Sequence, residues 1–234
     1  MMRPPHTLFA LALCAALGLC TACSDMPGYP KPSADVSRPD MELDSHALYK
    51  QNCAACHGAD GQYGASLDLA NPVYQALVDD QSLKKWISSG MPGTQMPAWA
   101  ISNGGPLTDQ QIDVLVRGMR VTWSRPNALG ATNPPPYLQS EKGDALRGQQ
   151  RFITYCTSCH EVSKQQVTSP DYLALVSDQA LRSIILAGRP DIGHPDWRND
   201  RPGTPLGPQD VTDIVTYLGT LRSPTPGQPY PQHP

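Results

Sequence analysis

The pattern Cys-x-x-Cys-His occurs twice in this chain, as Cys53-Ala-Ala-Cys56-His57 and as Cys156-Thr-Ser-Cys159-His160. The sequence around it repeats as well. Residues 71–99 align with residues 169–197 at a constant offset of 98, with 13 identities in 29 positions. The two motifs align at an offset of 103, so the first copy carries a loop five residues longer between motif and repeat. Further on, Leu107-Thr-Asp-Gln-Gln-Ile answers to Leu206-Gly-Pro-Gln-Asp-Val. Such self-similarity is one structural unit used twice. The 234 residues therefore divide into two small domains, at 44–123 and 143–222, each of roughly 80 residues.

Each copy reads as helical, which makes the fold class all-α. One helix is expected from Ser45 to Cys53 and again from Asp144 to Cys156, placing Tyr49 and Phe152 four residues before the first cysteine of each motif. A second is expected at Gln81 to Ser89 and at Gln179 to Ala187, stopped by Gly90 and Gly188. The third opens with Thr108 and Gln111 in a capping-box pattern. Ile112, Leu115, Val116 and Met119 then recur at helical spacing, as do Val211, Ile214, Val215 and Leu218 in the other copy. Between the copies, residues 124–142 include Pro134-Pro135-Pro136 and read as a stiff, extended linker. A domain this small with only two Phe in the whole chain buries a marginal core, which a bound cofactor would complete.

The other cysteines belong elsewhere. Leu8 to Cys20 is an unbroken apolar run behind Arg3. It is too short to span a bilayer, which takes about twenty residues, and suits a signal peptide over residues 1–22. The end of the run, Leu19-Cys20-Thr21-Ala22-Cys23, resembles the lipobox of bacterial lipoproteins, which implies acylation of Cys23 and a membrane anchor. Plain cleavage and an uncleaved anchor are the alternatives, and each exports the protein. Residues 23–43 read as a tether and 223–234 as a disordered, proline-rich tail. Cys14, Cys20 and Cys23 thus serve export, leaving four cysteines for chemistry. The formal charge of −3 excludes a basic nucleic-acid footprint, so no nucleic-acid partner is expected.

Cys-x-x-Cys-His is the attachment signature of c-type haem. Two thiols three residues apart on a helical turn project to one side, where they add to the two vinyl groups. The following histidine then ligates the iron. The competing readings are a structural zinc site, which needs four protein ligands that neither copy offers, and a redox-active thiol pair, which wants a βαβ setting. Two haem c groups are expected, on Cys53/Cys56/His57 and Cys156/Cys159/His160.

Asn52-Cys-Ala-Ala-Cys-His-Gly58 and Gly90-Met-Pro-Gly-Thr-Gln-Met-Pro-Ala-Trp99 resemble the haem-domain motifs of class I c-type cytochromes, specifically tandem dihaem ones such as the dihaem subunit of cbb-type oxidases. The resemblance covers residues 44–222. It implies two cytochrome c-like haem domains, each haem held between its motif and a methionine loop, and the carriage of single electrons.

In the first copy that loop makes Met96 the expected sixth ligand, with Met91 its rival. Gly90 plus six is Met96, and Gly188 plus six is His194, so the second copy keeps the frame and exchanges the ligand. All seven methionines lie at or before Met119, so the second haem is His/His through His194, atypically ligated, or open. A thioether is the weaker donor and raises the potential, so the second centre is expected to be the lower one. Arg189, Asp191 and Asp196 beside His194 read as a solvated loop. The function expected is electron transfer within or beside a respiratory chain, on the periplasmic side of a bacterial membrane, between redox partner proteins, with no catalytic residues. The alternative is a dihaem enzyme, a peroxidase or a thiosulfate-oxidising dehydrogenase.

Overall fold

The computed structural model describes residues 38–92, 94–139, 142–160, 167–198 and 204–223. The signal segment, Cys23, most of the tether and nearly all of the tail lie outside them. Residues up to Met41 form a separate unit, of which the described part is a 3-10 turn at Pro39–Met41. The body runs from Glu42 onward and contains both repeats.

The first repeat consists of α1 (Ser45–Asn52), α2 (Ala54–His57), α3 (Pro72–Leu77), α4 (Asp80–Ser89) and α5 (Asp109–Trp123). The second consists of α6 (Ala145–Tyr155), α7 (Thr157–His160), α8 (Pro170–Ala174), α9 (Asp178–Ala187) and α10 (Pro208–Thr220). Among the described residues there are no strands, only isolated bridges. The order is the same in both, and so are the local causes. Asp44 and Asp144 cap α1 and α6 through side chains that accept from the backbone three residues on. Thr108 and Gln111 close the expected capping box on α5. The short helices α3 and α8 each begin at proline, whose missing N–H costs nothing in a first turn.

In each repeat the first helix crosses the last, and a glycine allows the approach. A Cβ on Gly118 of α5 would collide with Ser45 of α1. A Cβ on Gly148 of α6 would collide with the backbone of Asp213 in α10. Leu48, Leu83, Ile112, Leu115 and Val116 form the first core, and Phe152, Leu181, Leu186, Val211, Ile214 and Val215 the second.

An arginine does the same work in each copy. Arg120 donates to the carbonyls of Gln75 and Val78 and to Asp80, tying α5 to the end of α3. Arg222 donates to Leu173 O, Val176 O and Asp178, the positions 98 residues later.

The segment between the repeats is seated rather than free-standing. Tyr137 is buried, its ring edge-on to Tyr74 of the first repeat at 6.3 Å. The fully buried Arg182 of α9 donates to Pro136 O at 2.6 Å, to Tyr137 O at 3.1 Å and to Thr212 Oγ1 at 3.1 Å. One guanidinium thereby fixes the linker to the second repeat.

Candidate haem sites

Both motifs form one helical turn on the same backbone frame. The N–H of Cys53 donates to Tyr49 O and that of Cys156 to Phe152 O, each at 2.8 Å. His57 and His160 donate to the carbonyl of the first cysteine, each at 3.0 Å. The leading cysteines are half-buried and the second ones exposed, and none of the four is in a disulfide. Burial, with the neighbouring cysteine adding to it, pushes the Cys53 and Cys156 thiols up to about 12. Reactive thiol pairs work through the opposite shift, a depressed pKa that exposes a thiolate at neutral pH. Nor do three His, Cys, Asp or Glu side chains converge among the described residues, as a zinc site would need. A half-buried leading thiol, an exposed second one and a histidine beside them fit thioether attachment better than either competitor.

His57 is buried, and its Nδ1 lies 2.9 Å from Leu67 O. A carbonyl only accepts, so Nδ1 carries the proton and donates. Burial also lowers the pKa of the ring. A neutral imidazole protonated at Nδ1 leaves the Nε2 lone pair for a metal, oriented by the Leu67 carbonyl. The loop that supplies this carbonyl folds back on the motif. Ser66 N–H donates to Cys56 O at 3.0 Å, and Gly64 lies so close to the Cys56–Gly58 backbone that no Cβ fits.

In the second repeat, His160 is half-buried and stacks on Phe152, with ring centres 6.4 Å apart and planes 24° from parallel. His194 faces it, with ring centres 6.0 Å apart. Nδ1 of each is buried without a hydrogen-bond partner among the described residues. Burial lowers both rings' pKa, and for His194 the proximity of His160 adds to it. An unsatisfied buried polar atom costs about 1–3 kcal/mol, so two facing neutral imidazoles are a costly arrangement unless something binds between them. A metal ion held by one nitrogen of each ring would relieve that cost, and imidazole is a ligand that iron accepts. The residues fit an axially ligated iron.

The segments that carry Met96 and His194 share a frame. Met91 N–H donates to Met96 O at 3.0 Å, and Arg189 N–H donates to His194 O at 3.0 Å. Gly90 and Gly188 have φ of +66° and +74°, and a Cβ on either would fall within 2.6–2.8 Å of the backbone just ahead. Both counts require glycine. Met96 and His194 thus occupy one position of the repeat, and Met96 is half-buried. His46 is exposed on α1, and His233 lies outside the described residues.

Residues 42–117 match the family described as cytochrome C oxidase, cbb3-type, subunit III, and residues 145–222 match the cytochrome c family. The chain is a c-type cytochrome with two cytochrome c domains in tandem. Such domains imply electron transfer and covalently bound haem c, and two domains are consistent with two haems. A stretch of 75 residues is 37% identical to the dihydro-heme d1 dehydrogenase of Pseudomonas aeruginosa, covering 32% of this cytochrome and 14% of that protein. A chain of the reducing HAO-like protein complex of Kuenenia stuttgartiensis superposes with a TM-score of 0.43 at 17% identity, over 77% of this chain and 96% of that one.

Where the two domains of the cytochrome meet, the loop read from the sequence as solvated buries the side chains of Arg189 and Asp191, while Ile192, Gly193 and Pro195 stay exposed. Arg189 is 8% exposed and the Asp191 side chain 0%. Arg189 donates to Asp191 through Nε at 2.9 Å and Nη2 at 2.8 Å, and reaches into the first domain to Ser66 O at 2.6 Å and Gly64 O at 3.0 Å. Asp191 also accepts from Tyr63 N–H at 2.8 Å. The Arg189 guanidinium, the largest influence, and this N–H hold the Asp191 carboxyl below its usual range. Asn71, the cap of α3, donates to Ala187 O at 2.7 Å. Asp68 is buried at the same seam with Oδ1 unpartnered, and burial, then Asp191, raise its pKa against the pull of Arg189. Asp196 instead pairs with Arg198. This seam joins two separate repeats, so single-repeat periodicity could not reveal it; the signal was an arginine where the first copy has Met91.

Proposed function

We propose that this cytochrome is an exported dihaem electron carrier whose two centres differ in axial ligation. Domains at 44–123 and 143–222 each hold one haem c. Cys53 and Cys56 anchor the first, with His57 and Met96 on its two sides; Cys156 and Cys159 anchor the second, between His160 and His194. The observation that carries the reading is the opposition of the His160 and His194 rings at 6.0 Å, each with a buried, unpartnered nitrogen.

When bound, haem c supplies an iron that alternates between ferrous and ferric states one electron at a time. The chain sets where each iron settles. The Met96 thioether is a weak donor and favours ferrous iron, whereas the His194 imidazole favours ferric, so the second domain holds the lower potential. With His57 and Met96 holding one iron and His160 and His194 the other, neither would keep an open position for a substrate. Among the described residues, the charged groups on the His194 segment are engaged with one another, Arg189 with Asp191 and Asp196 with Arg198. A carrier between redox partner proteins, within or beside a respiratory chain, follows more naturally than an enzyme. Residues 1–22 and Cys23 support export and a lipid anchor on the periplasmic side of a membrane, and no helix among the described residues is long and apolar enough to cross one.

Low-temperature EPR with near-infrared spectroscopy of the oxidised protein tests this. One His/Met and one His/His low-spin centre are expected, and His194→Ala abolishes only the second. A high-spin centre in the unmodified protein that binds cyanide or CO rapidly would favour the enzyme.

A further inference from the structure

We infer that Arg189 is a positioning residue shared by the two haem sites, binding the distal segment of the second to the proximal loop of the first so that the centres respond to each other. The inference rests on the ligand assignment proposed above.

Arg189 touches both sites at once, through different parts of the residue. Its backbone pairs with His194 in both directions: N–H to His194 O at 3.0 Å, and His194 N–H to Arg189 O at 2.9 Å. That two-way bridge fixes the residue that would ligate the second iron. Its side chain leaves the second domain and grips Gly64 O and Ser66 O of the first. These carbonyls belong to the short loop that orients the first site. Ser66 gives its N–H to Cys56 O and its carbonyl to Arg189, and the next residue, Leu67, holds Nδ1 of His57. Between the proximal histidine of one domain and the distal histidine of the other lie only Leu67, Ser66 and Arg189.

The connection is built to be rigid. Five hydrogen bonds of 2.6–3.0 Å converge on the Arg189–Asp191 pair, four from the guanidinium and one from Tyr63 N–H. The forked guanidinium engages a carboxylate and two carbonyls together, which the point charge of a lysine does not reproduce. In the first repeat the corresponding residue is Met91, whose side chain has no charge to give, so the device exists once and points one way. Movement at either site is expected to be felt at the other through the Ser66–Leu67 peptide.

The test uses the haem-loaded, full-length protein and three variants: Arg189→Lys, Arg189→Met with Asp191→Asn to avoid an unpaired buried carboxylate, and Asn71→Ala, which removes the seam bonds to Ala187 O and Gly188 O and leaves every bond of the Arg189 guanidinium in place. Potentials of both centres are read by spectroelectrochemical titration, and His/His ligation by EPR. Both Arg189 variants are expected to alter the His/His signal and also to change the first centre's ferric-to-ferrous ratio at fixed ambient potential by a factor of about two to ten, the worth of one net hydrogen bond. Arg189→Lys gives the smaller change and Asn71→Ala leaves the first centre's potential in place. A first centre unmoved in both Arg189 variants, with the second altered, would make Arg189 a local prop and overturn the inference. So would an equal shift in Asn71→Ala, which assigns the effect to the seam in general. If the unmodified protein shows no His/His signal, the ligand assignment itself has failed, and that outcome is separate from these.

Discussion

Gly148→Ala pits two effects of known size against each other. In an exposed helix interior this exchange stabilises by about 1 kcal/mol, because alanine restricts the unfolded chain and glycine does not. At Gly148 the added methyl meets the backbone carbonyl of Asp213 and comes within 2.9 Å of Tyr217 Cβ, so α6 and α10 must separate. Overpacking of a fitted core costs about 1–3 kcal/mol. The upper end applies here, since backbone rather than a movable side-chain tip is struck. The separation also stretches the bond from Asp144 N–H to the buried Asp213 carboxylate, 2.8 Å in the native protein. The net loss is about 2 kcal/mol, and at about 4–8 °C per kcal/mol for a domain of this size Tm falls by about 8–16 °C. Gly219→Ala, on the partner helix α10, is the control. Its Cβ meets nothing nearer than Asp178 Oδ1 at 3.7 Å, so helix propensity acts alone and Tm rises by a few degrees. Far-UV circular dichroism melts of the haem-loaded protein measure both. A Tm for Gly148→Ala equal to or above that of the parent would refute the crossing geometry.

Removal of the capping box by Thr108→Ala costs about 1 kcal/mol, read in the same melts. The two seam carboxylates respond to acid with opposite signs. Asp191 has a depressed pKa in the folded state, so its stabilisation is present above the unfolded value of about 3.9 and fades as pH falls through the folded one. Asp191→Asn therefore lowers Tm at pH 7, by an amount that shrinks as pH falls below about 4. Asp68 has a raised pKa, so its ionisation costs stability once pH passes the unfolded value. Asp68→Asn is expected to raise Tm at pH 7, with the gain gone at pH 3. Melts across that range check both, and parallel behaviour of the two variants would contradict the burial of Asp68.

Local features of the fold were legible because their causes are local. Thr108 and Gln111 form their box from side chains three residues apart, and Gly90 and Gly188 end α4 and α9 because only glycine tolerates the left-handed turn. The helices α3 and α8 leave no periodic signal, although they lie in the best-matched stretch of the repeat, since six and five residues opening at a proline give no full period to count. The proline-rich segment reads as a spacer by composition, and Tyr137 seats it through contacts with Tyr74 and Arg182 that only the folded chain brings together. The Arg120 and Arg222 clamps have the same character, each reaching back more than forty residues to carbonyls at the end of a short helix. At the sites, the motif and the Met96/His194 frame follow from alignment of the two copies. The burial of Arg189 and Asp191 does not, because their neighbours belong to the other copy.

The most direct measurement is an equilibrium redox titration of the unmodified, haem-loaded protein, with each centre followed by its own spectrum. Two separated one-electron waves are predicted, the lower belonging to the His160/His194 centre and the upper to the His57/Met96 centre. A single potential shared by both centres, or the lower wave on the first domain, would contradict the account.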